Sequence, residues 1–292
     1  LSPRLSEKAA KYSAIAGRQA VAQAAYPEAA RHFRAALTAR EGQPIDDEMA
    51  DILFDLGNAA ELNAEVSDTW RSYRQAFDYY VSTGNVKRAV DVAYNVGLSA
   101  QLVRPSQTQL IERAMALVEP DTENFARLNI ALATSVGFMG QFERAIDCYA
   151  EAEAIAQRLG LHTLELDSIT RRLYVIGFQL RLAEAVELGE RAVALAIELN
   201  DPKAEANVRM FSFGQFWYGN LEEARMHALA GRAAAERTRI PHAIASAGFA
   251  LASVAYPTGD WADMRAQLAW AMEAGSPDAR VLCEASSLEF IL

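Results

Sequence analysis

His32, His162, His227 and His242 are the only imidazoles of the chain, and Cys148 and Cys283 its only thiols. A zinc site would need several of these to converge, as a histidine pair four apart on a helix or as closely spaced cysteines. Neither spacing occurs. Ser212 and Ser253 lie in helical sequence rather than in the Gly-x-Ser-x-Gly elbow of a hydrolase. Glu222-Glu223 falls in the first turn of an expected helix, where carboxylates complement the macrodipole. No Gly-x4-Gly-Lys-Ser/Thr phosphate loop is present. The expectation is therefore no enzyme, no cofactor and no metal, with binding as the remaining class of chemistry.

Composition narrows the partners. With 28 Lys and Arg against 38 Asp and Glu, the net charge is −10, which repels phosphate backbones and argues against direct nucleic-acid contact by this segment. No apolar run approaches the ~20 residues of a membrane span, and no signal peptide is visible. Two distant cysteines suit reduced core thiols of a cytoplasmic protein. At 292 residues and 51% hydrophobic content the chain can bury a large core. Its first residues, Leu1-Ser2-Pro3, and its apolar last ones, Phe290-Ile291-Leu292, suggest a fragment of a longer polypeptide. An apolar stacking face is normally closed by a polar capping helix.

The elements follow from a repeat. Tyr26, Val66, Phe142, Leu182, Leu221 and Trp261 each open an acidic-then-small cluster, with steps of 40, 76, 40, 39 and 40. Three residues on stand Ala29, Thr69, Ala145, Ala185, Ala224 and Met264. Seven on stand Phe33, Tyr73, Tyr149, Gly189, Ala228 and Leu268, and ten on a small residue every time, from Ala36 to Ala271. These spacings return to one face of an α-helix. Nine before each opening come Gly17, Gly57, Ala133, Leu173, Ser212 and Ala252, the facing contact on a preceding helix. The unit is thus helix, tight turn, helix, with Gly140-Gln141, Gly219-Asn220 and Gly259-Asp260 as turns. Asn200-Asp201-Pro202, Arg239-Ile240-Pro241 and Gly275-Ser276-Pro277 mark boundaries between units. One occurrence is missing near Arg104, so residues 86–120 form an irregular third repeat, with Gly97 as its seam glycine and Ala114 or Ala116 opposite. Asp121 is expected to begin the fourth unit and Asp278 a last, unpaired helix.

Leu56-Gly57, Ala29 to Phe33 and Ala145 to Tyr149 resemble the tetratricopeptide repeat, although the period is ~40 where the standard repeat has ~34. The resemblance implies an all-α, right-handed superhelical solenoid of about seven helix pairs plus a final helix, in one domain over 1–292. Ala25 to Leu37, Asp47 to Ala59 and Leu221 to Arg225 resemble more specifically the helical arm of LuxR- and MalT-type bacterial regulators, or of ATPase-linked nucleotide cyclases. In that family an ATPase module precedes the arm, and a helix-turn-helix or cyclase domain delivers the output. The implied role is a sensor arm of a transcriptional regulator, binding a protein or peptide partner or a small-molecule inducer. The alternative is a stand-alone scaffold for complex assembly; the oligomeric state is open.

In such stacks the first helix of each unit lines a concave groove. The resemblance then places Ile130, Thr134 and Gly137, Thr170, Tyr174 and Gly177, Arg209, Phe213 and Phe216, and Phe249, Ser253 and Tyr256 along it. Phe138, Phe178 and Trp217 sit at its edge, and the earlier repeats contribute residues such as Arg18, Phe54 and Asn58. Arg209, Phe213, Phe216, Tyr174, Phe249 and Tyr256 form the candidate site. Rings offer large contact area at low entropic cost, and Arg209 would pair an anionic group. The competing placement for the same rings is the core between repeats.

Overall fold

The computed structural model describes residues 3–23, 25–63, 65–99, 102–216, 219–238 and 240–273; the side chains of 3, 4, 211–216, 241 and 242 are outside that description. Among the described residues all regular structure is helical, in fourteen α-helices. The first helices of the pairs are α1 (Pro3–Ala22), α3 (Asp47–Leu62), α5 (Val86–Leu98), α7 (Glu123–Phe138), α9 (His162–Phe178), α11 (Pro202–Phe216) and α13 (Pro241–Thr258). Their second helices are α2 (Tyr26–Ala39), α4 (Val66–Ser82), α6 (Pro105–Met115), α8 (Phe142–Leu159), α10 (Leu182–Glu198), α12 (Leu221–Thr238) and α14 (Trp261–Glu273). All six openings are the first residue of a second helix. The chain divides into two compact units, Leu1–Ile155 and Ala156–Leu292.

The seam works by volume exchange. A Cβ on Gly17 would lie 2.6 Å from Phe33 Cε1, and one on Gly57 would lie 2.5 Å from Tyr73 Cδ1. Each ring therefore lies on the bare backbone of its partner helix. In the fifth repeat the sizes reverse, with buried Leu173 on the first helix and buried Gly189 on the second. Close-packed interiors hold total volume nearly fixed, so large and small trade places without opening a void.

Neighbouring repeats are joined by side-chain ladders. Between first helices of the first unit run Arg18 to Asp55 at 2.8 Å, Arg88 Nε to Asp51 at 3.1 Å, Asn95 to Asn58 at 2.8 Å and Arg127 to Asp91 at 3.0 Å. Between its second helices run Arg34 to Asp68 at 2.8 Å, Arg113 to Asp78 at 3.0 Å and Arg144 to Glu112 at 2.9 Å. In the second unit Arg225 pairs Asp263 at 3.0 Å across α12 and α14. Such half-exposed pairs each stabilise by at most about 1 kcal/mol. Together they set the register in which one repeat stacks on the next.

The third repeat has the shortest pair, α5 with 13 residues and α6 with 11. Counting from Arg104, the N-cap of α6, places Gln107, Ile111 and Ala114 in the three-, seven- and ten-residue columns, and all three are buried. Gln107 Nε2 donates to the carbonyls of Val96 (2.6 Å) and Ser99 (3.1 Å), satisfying the end of α5, while its Oε1 accepts from Ser135 Oγ at 3.0 Å. Gly97 corrects the expected seam. A Cβ there would lie 2.8 Å from Ala131 Cα, so Gly97 packs on α7 of the next repeat rather than on Ala114 or Ala116. The short α6 leaves that side of α5 to α7. The fourth pair begins at Thr122, which caps Phe125 N, one residue after Asp121. The final helix expected at Asp278 lies outside the described residues.

Candidate recognition face

In each unit the three groove columns behave differently. The column twelve before each opening is closed in the first repeats, where Ala14, Phe54, Ile130 and Thr170 are buried, and half-open at Arg209 and Phe249. Thr134, in the next column, is buried as well, its hydroxyl shared between the Ile130 carbonyl (2.8 Å) and Tyr149 Oη (2.8 Å). The first-helix face of the first unit carries polar groups that engage one another beside the exposed Tyr12, Val21 and Phe138. Tyr73 Oη donates to Asn58 Oδ1 at 2.7 Å, and the guanidiniums of Arg88 and Arg127 lie 4.9 and 4.7 Å from the ring centres of Phe54 and Tyr94. Burial raises the Asp55 and Glu61 carboxyls above the ordinary range, against the Arg18 contact to the first and the Ser99 and Tyr73 hydroxyls to the second.

The second unit presents rings in contact with one another. Tyr174 on α9 is 39% exposed and Phe178, one turn on, 63%; their rings meet edge-on with centroids 4.6 Å apart. On α13, Phe249 is half-buried against Ala252, Ala255, Met264 and Leu268. Tyr256 is 37% exposed and meets Trp261, the first residue of α14, edge-on at 5.6 Å. α11 contacts both α9 and α13, so the three first helices form one face of this unit. Phe213 and Phe216 fall on α11, but their side chains lie outside the described residues, as does Trp217.

Arg209 is placed differently from the rings. Its Nε donates to Glu205 at 2.9 Å one turn earlier on α11, and its Cβ is the nearest neighbour to a Cβ built on Gly231 of α12. Glu205 also pairs Arg237, and Arg209 Nη1 lies 3.5 Å from Nδ1 of His227 on α12. His227 Nε2 stands 3.2 Å from Glu190 Oε1. Burial pushes this imidazole below its ordinary pKa, Glu190 pulls it up, and Arg209 adds to the lowering. The neutral tautomer with the proton on Nε2 donates to Glu190 and accepts from Arg209. Glu205 thus takes the Nε donor of this guanidinium and neutralises part of its charge. The four-residue spacing of Glu205 and Arg209 is the one mark of that arrangement visible in the sequence.

Among the described residues no group of three or more His, Cys, Asp or Glu converges as a metal site, and no helix is long and apolar enough to cross a membrane. Cys148 on α8 is a half-buried free thiol whose pKa burial raises, away from the thiolate form.

No family model matches the chain, and no curated protein matches it in sequence. Its fold does recur among solved structures. A Rap protein complexed with Competence and Sporulation Factor is 15% identical with a TM-score of 0.59, the match covering 94% of this chain and 76% of that one. The apo form of RapI is 10% identical with a TM-score of 0.64, covering 91% and 97%. A signal-transduction ATPase with numerous domains from Pyrococcus horikoshii, which carries a tetratricopeptide repeat sensor, is 15% identical with a TM-score of 0.64. That match covers 95% of this chain and 43% of the ATPase. At these identities the likeness is one of fold: the chain is an all-helical array of tetratricopeptide-like pairs.

Proposed function

We propose that this chain is the recognition arm of a multidomain bacterial signalling protein, taking a peptide or protein segment on the first-helix face of its second unit. The observation that carries the reading is the solvent exposure of Tyr174 and Tyr256 on α9 and α13, each paired edge-on with a second exposed ring, Phe178 and Trp261. Exposed rings on a rigid helical scaffold supply contact area with little entropy left to lose. The sequence columns add Phe213 and Phe216 of α11 and half-buried Phe249 to the same face. Arg209 acts on it through Glu205 and His227, as a brace between α11 and α12. The fold supports the class of partner: one structural neighbour is described in complex with Competence and Sporulation Factor, another, also 15% identical, with the Phr* peptide.

The regulator context is the finer part of the proposal. The likeness to the sensor of a multidomain ATPase favours an arm that biases a cytoplasmic switch module, as in LuxR-type transcriptional regulators. Binding would act by preferring one arrangement of the repeats. The recognition step is tested by selecting a phage-displayed random peptide library on the full chain and titrating the enriched peptides against wild type, Tyr174→Ala and Phe249→Ala. At least tenfold weaker binding by the variants is expected. No enrichment, or enriched peptides indifferent to both variants, rejects the site. Sequencing the flanking coding region tests the context: an adjacent P-loop ATPase and a helix-turn-helix are expected, and a freestanding repeat protein would favour a scaffold.

A further inference from the structure

Leu180 occupies the turn between α9 and α10 with φ +55, in the left-handed region. The matching turn residues after α7 and α13 are glycines, Gly140 at φ +79 and Gly259 at φ +73. All three turns are closed alike. The turn residue N–H donates to Gly177, Gly137 or Tyr256 O at 3.0, 2.9 and 3.1 Å. The following N–H donates to Ile176, Val136 or Ala255 O at 3.3, 3.0 and 3.2 Å. Glycine adopts this geometry freely, whereas an L side chain is crowded in it. The turn therefore does not select leucine. Nor does the core, because Leu180 is 64% exposed. An apolar residue held strained and in water points to a demand from outside the fold.

The surroundings say what kind of partner would meet that demand. α9, α11 and α13 run parallel, since each is antiparallel to the second helix between them, so their carboxy-terminal turns share one edge of the unit. Phe178, Leu180, Leu221 and Trp261 are all exposed large apolar residues on it. Glu222, Glu223 and Asp260 beside them are exposed. Asn220 Oδ1 already accepts from the Glu222 and Glu223 N–H groups at 3.1 and 3.3 Å, so neither carboxylate is needed as a cap. The edge's cations, Arg181 and Arg225, are committed to Glu184 and Asp263. Five carboxylates against two guanidiniums leave the edge acidic around an apolar centre. The same charge opposes a second copy of this edge and an anionic lipid surface.

We propose that this turn edge, centred on Leu180, docks a basic amphipathic helix of a protein partner, apolar side chains on Phe178, Leu180 and Trp261 and lysines or arginines toward Glu222, Glu223 and Asp260. The surface adjoins the first-helix face through the Tyr174–Phe178 and Tyr256–Trp261 ring contacts, and Leu180, which belongs to this edge, distinguishes the two. The test titrates the full chain with a synthetic helix of Leu and Lys at amphipathic spacing, with the same helix built from Leu and Glu as control. Binding of the Leu/Lys helix alone, weakened by salt, is expected. Leu180→Gly, which relieves the left-handed strain, should leave the melting temperature unchanged or higher yet weaken binding about tenfold, as for a central anchor. Leu180→Met should retain binding, and E222Q with E223Q should weaken it and flatten the salt dependence. Unchanged affinity in Leu180→Gly, equal binding of the Leu/Glu helix, no binding at low salt, or Leu180-dependent dimerisation would each overturn the proposal.

Discussion

The two units distribute their aromatic residues differently. In the first, Phe33, Tyr73, Phe77, Tyr80 and Tyr149 are fully buried, with Arg88 over Phe54 and Arg113 over Phe77, while Tyr12 and Phe138 stand singly in solvent. In the second, the seam is filled mainly by alanine, glycine and leucine, and Tyr174, Phe178, Tyr256 and Trp261 stand in solvent. A repeat has only a fixed seam volume to fill. Where small residues fill it, rings are released for the surface, and one scaffold can then vary from a packed stack to a recognition face without changing its period.

The sharpest way to break that contrast is to remove a ring from each side. Phe77→Ala should cost roughly 3–5 kcal/mol, read from the denaturation midpoint, because the cavity lies in close-packed core. Phe178→Ala should fall within about 0.5 kcal/mol of wild type. Similar costs would show that the exposed ring is structural after all.

Glycines give the next largest difference. At Gly97 an added methyl meets the backbone of Ala131, which moves only if α7 moves, so Gly97→Ala should destabilise by about 1–3 kcal/mol. At Gly231 of the second unit the nearest atom is Arg209 Cβ at 3.3 Å. There the gain in helix propensity, up to ~1 kcal/mol, offsets the tighter contact, and Gly231→Ala should be near neutral. Chemical denaturation of the two variants side by side decides it.

The smallest effect is pH dependence in the second unit. Because burial lowers the His227 pKa, the unfolded chain takes up the proton first as pH falls. Stability is full above about 6.5, the ordinary imidazole value, and declines as pH drops from there through the folded value. Melting temperatures at pH 7 and pH 5 should differ less in His227→Gln than in wild type; an equal drop in both would assign the acid sensitivity elsewhere.

Much of the fold was legible because it is periodic. Tyr26, Val66, Phe142, Leu182, Leu221 and Trp261 mark helix starts because each stands where the chain re-enters a helix after a short turn. The third repeat resisted because its column residue is Gln107, a polar side chain made buriable by two carbonyls and a serine. Gly97 misled for a related reason: spacing identifies a small residue but not which neighbouring helix fills the gap. The candidate site was legible as columns of rings, not as exposure. The columns place Arg209 on this face but not its bond to Glu205, one turn earlier. The inter-repeat ladders could have been found by scanning for opposite charges some 36 or 37 residues apart, as in Arg18–Asp55, Asp51–Arg88 and Asp91–Arg127. The left-handed Leu180 shows only when its turn is aligned with Gly140 and Gly259.

The central claim is that the exposed rings of the second unit recognise a partner while contributing little to stability. It is tested most directly by a binding isotherm of a library-selected peptide on the Tyr174→Ala/Tyr256→Ala double variant, with its denaturation midpoint measured in parallel. Loss of at least tenfold in affinity with the midpoint nearly unchanged is predicted. Retained affinity, or a cooperative loss of folding, would contradict it.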